Sequence, residues 1–508
     1  MIGYVVSLLL FLWFYSMFHP LNHRNKRISC APIHGYRSLL EPTLLLQARF
    51  ASNAPELIRS GYEKFKDRPF VVRRYDADIT ILPHKYVAEL CSAPASIKMS
   101  AVKVQVANLV HRWTYSSFIE HSDLHFRVVE KKLIPQLPKY IYAATKEMEH
   151  AWLTNVPKPQ DWTEVDIQHI IRTLVSQMSS RIFLGLPTCR DPEWLNLALT
   201  FPADVNTTAF TLRAFPPWMH PIIARLIPAR YRVKRKIDLA TEIIRPLISN
   251  EGERQDKGDG GGDDTLLDWM MSNGDEKETR VGEMATRQCL LALASTHATS
   301  MAAANALFDL CTHPEWFAVL EDEINDTLRD RGFLNSEKGA REWLSSLEKM
   351  DSFLVESQRL HPPILLSPQR EAMVPFILKD GTCIPKGCRV AWAASSHLND
   401  PHVTPNSEVF DPMRSYRKRY SLDRRSKHLA GQTNIDNLAF GYGRLACPGR
   451  AFAVAEVKVL LVKFLTEFDF KFPKGISMLH YKSADEIVFP DPKARVLMRK
   501  KLCRKTQA

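Results

Sequence analysis

The chain has 508 residues, of which 45% are apolar and 24% charged, a balance that excludes a disordered or fibrous protein and leaves ample material for a large core. No Pro/Gly/Ser-rich linker divides it into comparable blocks, so one large catalytic unit is expected. The net charge of +12 is spread along the chain with no interleaving of Arg/Lys and aromatic residues, which argues against nucleic acid and leaves a solvated basic surface or the docking face for an acidic protein partner. The nine cysteines are widely spaced and form neither CxxC pairs nor a zinc pattern, so they read as free thiols in a reducing compartment.

Residues 1–18 (MIGYVVSLLLFLWFYSMF) carry no charge and, at ~1.5 Å per helical residue, nearly span the hydrocarbon core of a bilayer. Without basic residues before it or a small-x-small cleavage site after it, this segment is expected to be an uncleaved transmembrane signal anchor. Residues 19–40 form a basic, proline-containing linker, and residues 41–508 the catalytic domain. Arg24, Lys26 and Arg27 follow the anchor, so the positive-inside bias leaves the body of the protein cytoplasmic. The sequon Asn206-Thr207-Thr208 would then face the cytosol and stay unmodified.

Residues 70–75 and 79–82 are β-prone runs flanking Asp76-Ala77-Asp78, the composition of a hairpin. From about residue 121 onward apolar residues recur at three- and four-residue spacing, so helix should dominate. The proline-broken stretch 215–223, with Trp218 in it, suits either a buried loop or a loop dipping into a membrane interface. Residues 256–264 (DKGDGGGDD) lack both the terminal Glu of a calcium loop and the Lys-Ser/Thr of a phosphate loop, and read as a surface connection.

Three later segments carry chemistry. Residues 290–308 (LLALASTHATSMAAANALF) predict a helix so rich in Ala, Ser and Thr that it either packs closely on another helix or admits something bulky. In LVESQRLHPP, Glu356 and Arg359 at i, i+3 share one face of a helix that must end before Pro362. Phe440-Gly441-Tyr442-Gly443-Arg444-Leu445-Ala446-Cys447-Pro448-Gly449 fits F-x-x-G-x-x-x-C-x-G, with a helix predicted from Arg450 through Leu461. Gly441 and Gly443 allow a tight turn, Phe440 brings apolar surface near the sulfur, and a cysteine just before a helix N-terminus sits in a field that favours thiolate. A lone buried cysteine is usually inert packing, but this ten-residue combination points to a metal ligand.

On these residues the chain resembles the cytochrome P450 superfamily over nearly its whole length, and its style is similar to fungal members of secondary metabolism. The resemblance implies a mainly α fold with a minor β-rich lobe, and heme b (iron protoporphyrin IX) with Cys447 as axial iron ligand. Phe440, Gly441, Gly443 and Gly449 would shape the heme loop, and Ala294 and Ala298 would lie on the helix crossing the distal heme face. Glu356 and Arg359 match the family's ExxR, and Phe410-Asp411-Pro412-Met413-Arg414 resembles the segment that adds Arg414 to form a structural cluster. His297 takes the position of the family's acid, so His297 with Thr296 or Thr299 is the expected proton relay.

Two residues depart from the family pattern. Ala298 stands where a threonine is usual, and Leu445 where a His or Arg pairs with a heme propionate, leaving Arg444 and Arg370 as the expected propionate partners. No tryptophan-to-arginine propionate motif is visible around residues 123–132.

The implied reaction is insertion of one oxygen atom from O2 into a lipophilic terpenoid or meroterpenoid. Its alternatives are an isomerase or dehydratase that does not activate O2, or a heme protein without turnover. No nicotinamide motif is present. Electrons from NADPH are therefore expected through a separate NADPH-cytochrome P450 reductase, with cytochrome b5 as an optional donor, at the endoplasmic reticulum membrane and in contact with its lipid.

Overall fold

A computed structural model of the chain describes residues 26–91, 98–256, 264–421 and 427–501. The apolar segment 1–18 lies outside these residues, as does most of the Asp/Gly stretch 256–264. Among the described residues no helix is long and apolar enough to cross a membrane.

The centre of the molecule is built from four helices: α1 (Leu137–Asn155), α2 (Ile167–Leu184), α3 (Pro192–Arg213) and α4 (Pro228–Asp256), around a longer one, α5 (Val281–Thr312). Two more, α6 (Glu348–Leu360) and α7 (Arg450–Glu467), close the core from behind. At 32 residues α5 is about 48 Å long. After Gly282 it contains neither Gly nor Pro and is dense in Ala, the best helix former, and it stops at His313 before Pro314. It packs on α2, α3, α4, α6 and α7, so both its ends and its middle are fixed by neighbours. The predicted helix over 290–308 is thus the inner part of a longer element. Likewise α6 ends at Leu360, one residue short of His361-Pro362-Pro363, as the prolines require.

The β-rich lobe is a five-stranded sheet in the spatial order Phe70–Arg73, Asp78–Ile81, Arg389–Ala391, Gln369–Ala372, Met99–Ser100. The predicted hairpin is present, with Phe70 opposite Ile81 and Arg73 opposite Asp78. Its first strand ends two residues earlier than the sequence reading and its second begins one residue earlier, because the Arg74 N–H donates to the Ala77 carbonyl (2.9 Å) and closes the turn there. The strand Gln369–Ala372 carries Arg370 into the body of the molecule. Residues 215–223 form a turn at Pro217–Met219 followed by a short helix His220–Leu226. Trp218 is 73% exposed and Ile222 59%, which removes the buried-loop alternative.

The core side of α5 tolerates no extra bulk. Ala303 is fully buried in the main cluster, and Ala303→Leu is expected to lower stability by about 1–3 kcal/mol through overpacking, read as a reduced thermal unfolding midpoint.

Candidate active site

The cysteine loop is held by its own backbone. The Gly441 N–H donates to the Leu438 carbonyl (2.9 Å), the Ala446 N–H to the Gly443 carbonyl (3.1 Å) and the Cys447 N–H to the Phe440 carbonyl (2.8 Å). Gly441 and Gly443 both have φ of +75°, the left-handed region in which a side chain is strained. A Cβ on Gly443 would also stand 2.4 Å from the Cys91 carbonyl oxygen, so the close approach of these two backbones depends on glycine. Arg450, the first residue of α7, donates from Nη1 to the Cys447 carbonyl at 2.7 Å.

Cys447 lines a cavity and is exposed there. Burial pushes its thiol up, while the Gly449 and Arg450 N–H groups and the Arg450 charge pull in the opposite direction. These donors are aimed at an anionic sulfur that burial alone disfavours, and a coordinated cation is what makes such a sulfur ionise outright.

The cavity measures about 390 Å³ and is walled mainly by carbon. Phe440, Leu445, Cys447 and Gly449 form one side, and Ala294, Ser295, Ala298, Thr299 and Ala302 of α5 the other. With 3.6 residues per turn, positions 294, 295, 298, 299 and 302 fall on one helix face. His297 and Thr296 do not line the cavity. His297 is pressed down to about 4 by burial and then by the charge of Arg172 on α2, and its buried Nε2 has no partner. Thr296 is fully buried, and its hydroxyl also lacks a partner. The relay set drawn from sequence is therefore divided: Thr299 faces the cavity, while His297 and Thr296 lie elsewhere on α5.

Arg370 is 4% exposed. Its Nη1 donates to the adjoining Gln369 carbonyl at 2.8 Å, and burial lowers its pKa. No carboxylate of the described residues lies within ion-pairing distance of it, so a buried cation awaits an anion. Arg444 is exposed on the turn Gly443–Leu445 and does not line the cavity.

A residue missed by the sequence reading is His125. It lines the cavity, its buried Nδ1 has no partner, and burial followed by the Arg287 charge lowers its pKa to about 4. His125 stands within residues 123–132, where a lone histidine forms no tryptophan-to-arginine motif. Glu456 of α7 was also missed. It lines the cavity, its carboxyl is pushed well up by burial, and Ser179 Oγ donates to it at 3.2 Å. A cation-seeking sulfur and an unsatisfied imidazole on an apolar cavity wall, with Arg370 buried nearby in the chain's β-rich lobe but not lining the cavity, fit an iron porphyrin with its propionates.

Behind the loop, Arg359 donates from Nε and Nη2 to both oxygens of Glu356 at 2.9 and 2.7 Å. Arg414 Nε stands 3.5 Å from the same carboxylate, and its Nη1 and Nη2 donate to the Pro405 and Asn406 carbonyls. Arg359 Nη1 also donates to the Ser407 carbonyl at 2.8 Å, and Glu356 accepts the Asp411 N–H at 3.0 Å. The three side chains thus knit α6 to residues 405–414.

The Cytochrome P450 family pattern matches residues 111–498. "Cytochrome P450 monooxygenase ATR4" of Stachybotrys chlorohalonatus is 42% identical over 92% of this chain and 90% of its own length. "Ent-kaurene oxidase P450-4" of Gibberella fujikuroi is 36% identical over 93% of each chain. For the fold alone, the crystal structure of a cytochrome P450 (CYP102L1) is similar, with a TM-score of 0.67, 18% identity, and coverage of 94% of this chain and 100% of that one.

Glu356→Gln removes the carboxylate that two buried or half-buried arginines share. A loss of about 3–5 kcal/mol is expected, measured as a collapse of the folded yield or of the unfolding midpoint.

Proposed function

From the premise that the chain belongs to the cytochrome P450 family and is a monooxygenase of that family, we propose that it oxidises a lipophilic terpenoid or meroterpenoid intermediate. O2 and NADPH-derived electrons are the co-reactants. The observation that carries this reading is one carbon-walled cavity in which the Cys447 sulfur faces the small-residue side of α5. Relatives named as ent-kaurene oxidases support the terpenoid class.

Heme b, held by Cys447 through its iron, would supply oxygen activation. Arg370 and the neutral His125 ring would hold its propionates, one by charge and one by an N–H. The Gly449 and Arg450 N–H groups would keep negative charge on the sulfur. Thr299 shares the cavity wall with one other α5 hydroxyl residue, Ser295, and we assign Thr299 the delivery of protons, since Ala298 beside it has none to give. His297, neutral at physiological pH, would take part only through ordered water.

The electrons would come from NADPH-cytochrome P450 reductase, optionally with cytochrome b5, docking on the basic face that exposes Arg444. Residues 1–18 would anchor the chain in the endoplasmic reticulum membrane. The exposed Trp218, Ile222 and Leu226 support a second contact with lipid.

The alternative of an isomerase or dehydratase draws on Ala298, which faces the cavity without a hydroxyl. Expression with a reductase and a terpenoid precursor panel separates the two: monooxygenation requires product formation to stop without O2 or NADPH. Cys447→Ala should lose the thiolate-type absorption of the reduced, CO-bound protein. Thr299→Ala should cut the fraction of NADPH coupled to product about tenfold, less than the ~10²–10⁴-fold that a positioned proton donor contributes to a rate. Unchanged coupling would remove Thr299 from the reaction.

A further inference from the structure

Away from the cavity, the described residues bring three metal-competent side chains together: His84, His397 and Asp436, with their ligand atoms all within 4.8 Å of one another. They come from three separate elements. His84 opens the turn His84–Tyr86, His397 lies in the short helix Ala394–Leu398, and Asp436 belongs to the stretch leading to Cys447. Asn434 Oδ1 accepts the N–H groups of Asp436 (2.9 Å) and Asn437 (2.8 Å), which fixes the backbone that presents the carboxylate.

The two imidazoles stack with centroids 3.5 Å apart and planes 11° from parallel, so holding one ion would require the rings to splay until both Nε2 lone pairs converge on it. Each Nε2 stands 3.6 Å from Asp436 Oδ1. That is too long for a hydrogen bond. It is close to the ~3.3–3.4 Å separation that tetrahedral geometry gives nitrogen and oxygen ligands placed about 2.0–2.1 Å from zinc. Both Nε2 atoms are buried with no hydrogen-bond partner, and His397 is only 8% exposed.

The remaining ring nitrogens are engaged, which leaves Nε2 as the free atom on each ring. Tyr62 Oη lies 3.4 Å from His397 Nδ1 and donates to Asp400 Oδ2 at 2.9 Å, and Asp400 in turn pairs with Lys66 at 2.5 Å. The backbone of Ile435 hydrogen-bonds the His84 ring. A ring nitrogen anchored to a polar neighbour is how proteins aim the other nitrogen at a metal. Burial lowers both imidazoles, His84 to about 4. Asp436 is largely exposed, and it gives the site a route to solvent.

We propose that His84, His397 and Asp436 bind one divalent transition metal of the zinc class, with water completing the coordination. Two imidazoles and one carboxylate suit zinc better than calcium or magnesium, which take oxygen ligands. The ion would tie the edge of the β-rich lobe to the segment that runs into the heme-ligand loop.

The test uses untagged full-length holoenzyme with the exposed Cys30 and Cys383 alkylated, titrated with Zn2+ against a chromogenic chelator. One zinc per chain is expected, with His84→Gln, His397→Gln and Asp436→Asn each weakening uptake at least tenfold and leaving the reduced, CO-bound spectrum unaltered. Asp436→Asn alters an exposed side chain, so its folding is not at stake, and Asn retains the shape without the charge. Cu2+ in place of zinc should give an electron paramagnetic resonance signal split by two imidazole nitrogens in the parent protein and lacking that splitting in His84→Gln. Failure of the parent protein to hold zinc at micromolar concentration, or equal uptake by Asp436→Asn and His84→Gln, overturns the site. A loss of the heme spectrum in the parent protein would instead strike the proposed function, so the two failures are distinguishable.

Discussion

Favouring the thiolate of Cys447, whose thiol burial pushes up, is the constraint on which the proposed site depends. Burial disfavours the anion, and the opposing influences are local and directional: two backbone N–H groups at the start of α7 and the Arg450 guanidinium. Such donors act only if the loop does not move. Its rigidity comes from backbone hydrogen bonds at Gly441, Ala446 and Cys447, and from an approach of Gly443 to Cys91 that any side chain would block.

The Glu356–Arg359–Arg414 cluster extends this rigidity backwards. A buried ion pair is weak as a source of stability, because desolvation offsets much of its attraction. Its value here lies in geometry. The two guanidinium groups satisfy a run of main-chain carbonyls at residues 405, 406 and 407 that would otherwise be unpaired in a loop. The loop they support leads through residues 434–437 to the cysteine. The His84–His397–Asp436 group lies on the same route, against the opposite lobe.

The cavity has few polar features, and they are unevenly placed. Toward the far end of α5, Asn305 accepts from the Tyr481 hydroxyl at 3.2 Å, and His361 pairs with Asp309 at 2.8 Å. Above the cysteine the wall is Ala, Ser and Thr. A ligand there is held by shape and apolar contact, which suits a rigid hydrocarbon skeleton better than a charged metabolite. The Leu445 side chain on the wall cannot donate a hydrogen bond, and His125 Nδ1, Gln358 Oε1 and Glu456 Oε2 of the lining residues are buried without a hydrogen-bond partner among the described residues.

Much of this was legible in the chain because it depends on short-range chemistry. Prolines after Leu360 end α6 wherever it packs, Gly441 and Gly443 suit the left-handed turns of the cysteine loop, and Glu356 and Arg359 share a face through helical pitch alone. The Ala-rich run forecast a long helix with a small-residue side for the same reason. The side chains that face the cavity depended on the rotation of α5 against its neighbours, which separates Thr299 from His297 although they are two residues apart. His125 gained significance only when the fold buried its ring at the cavity wall, and the exposure of Trp218 decided between the two readings that the sequence left open for its loop. His84, His397 and Asp436 lie far apart in the chain with no recognisable spacing. Only the packing of the lobe against the loop put their nitrogen and oxygen atoms together, because proximity between distant residues is a property of tertiary contacts that no local pattern encodes.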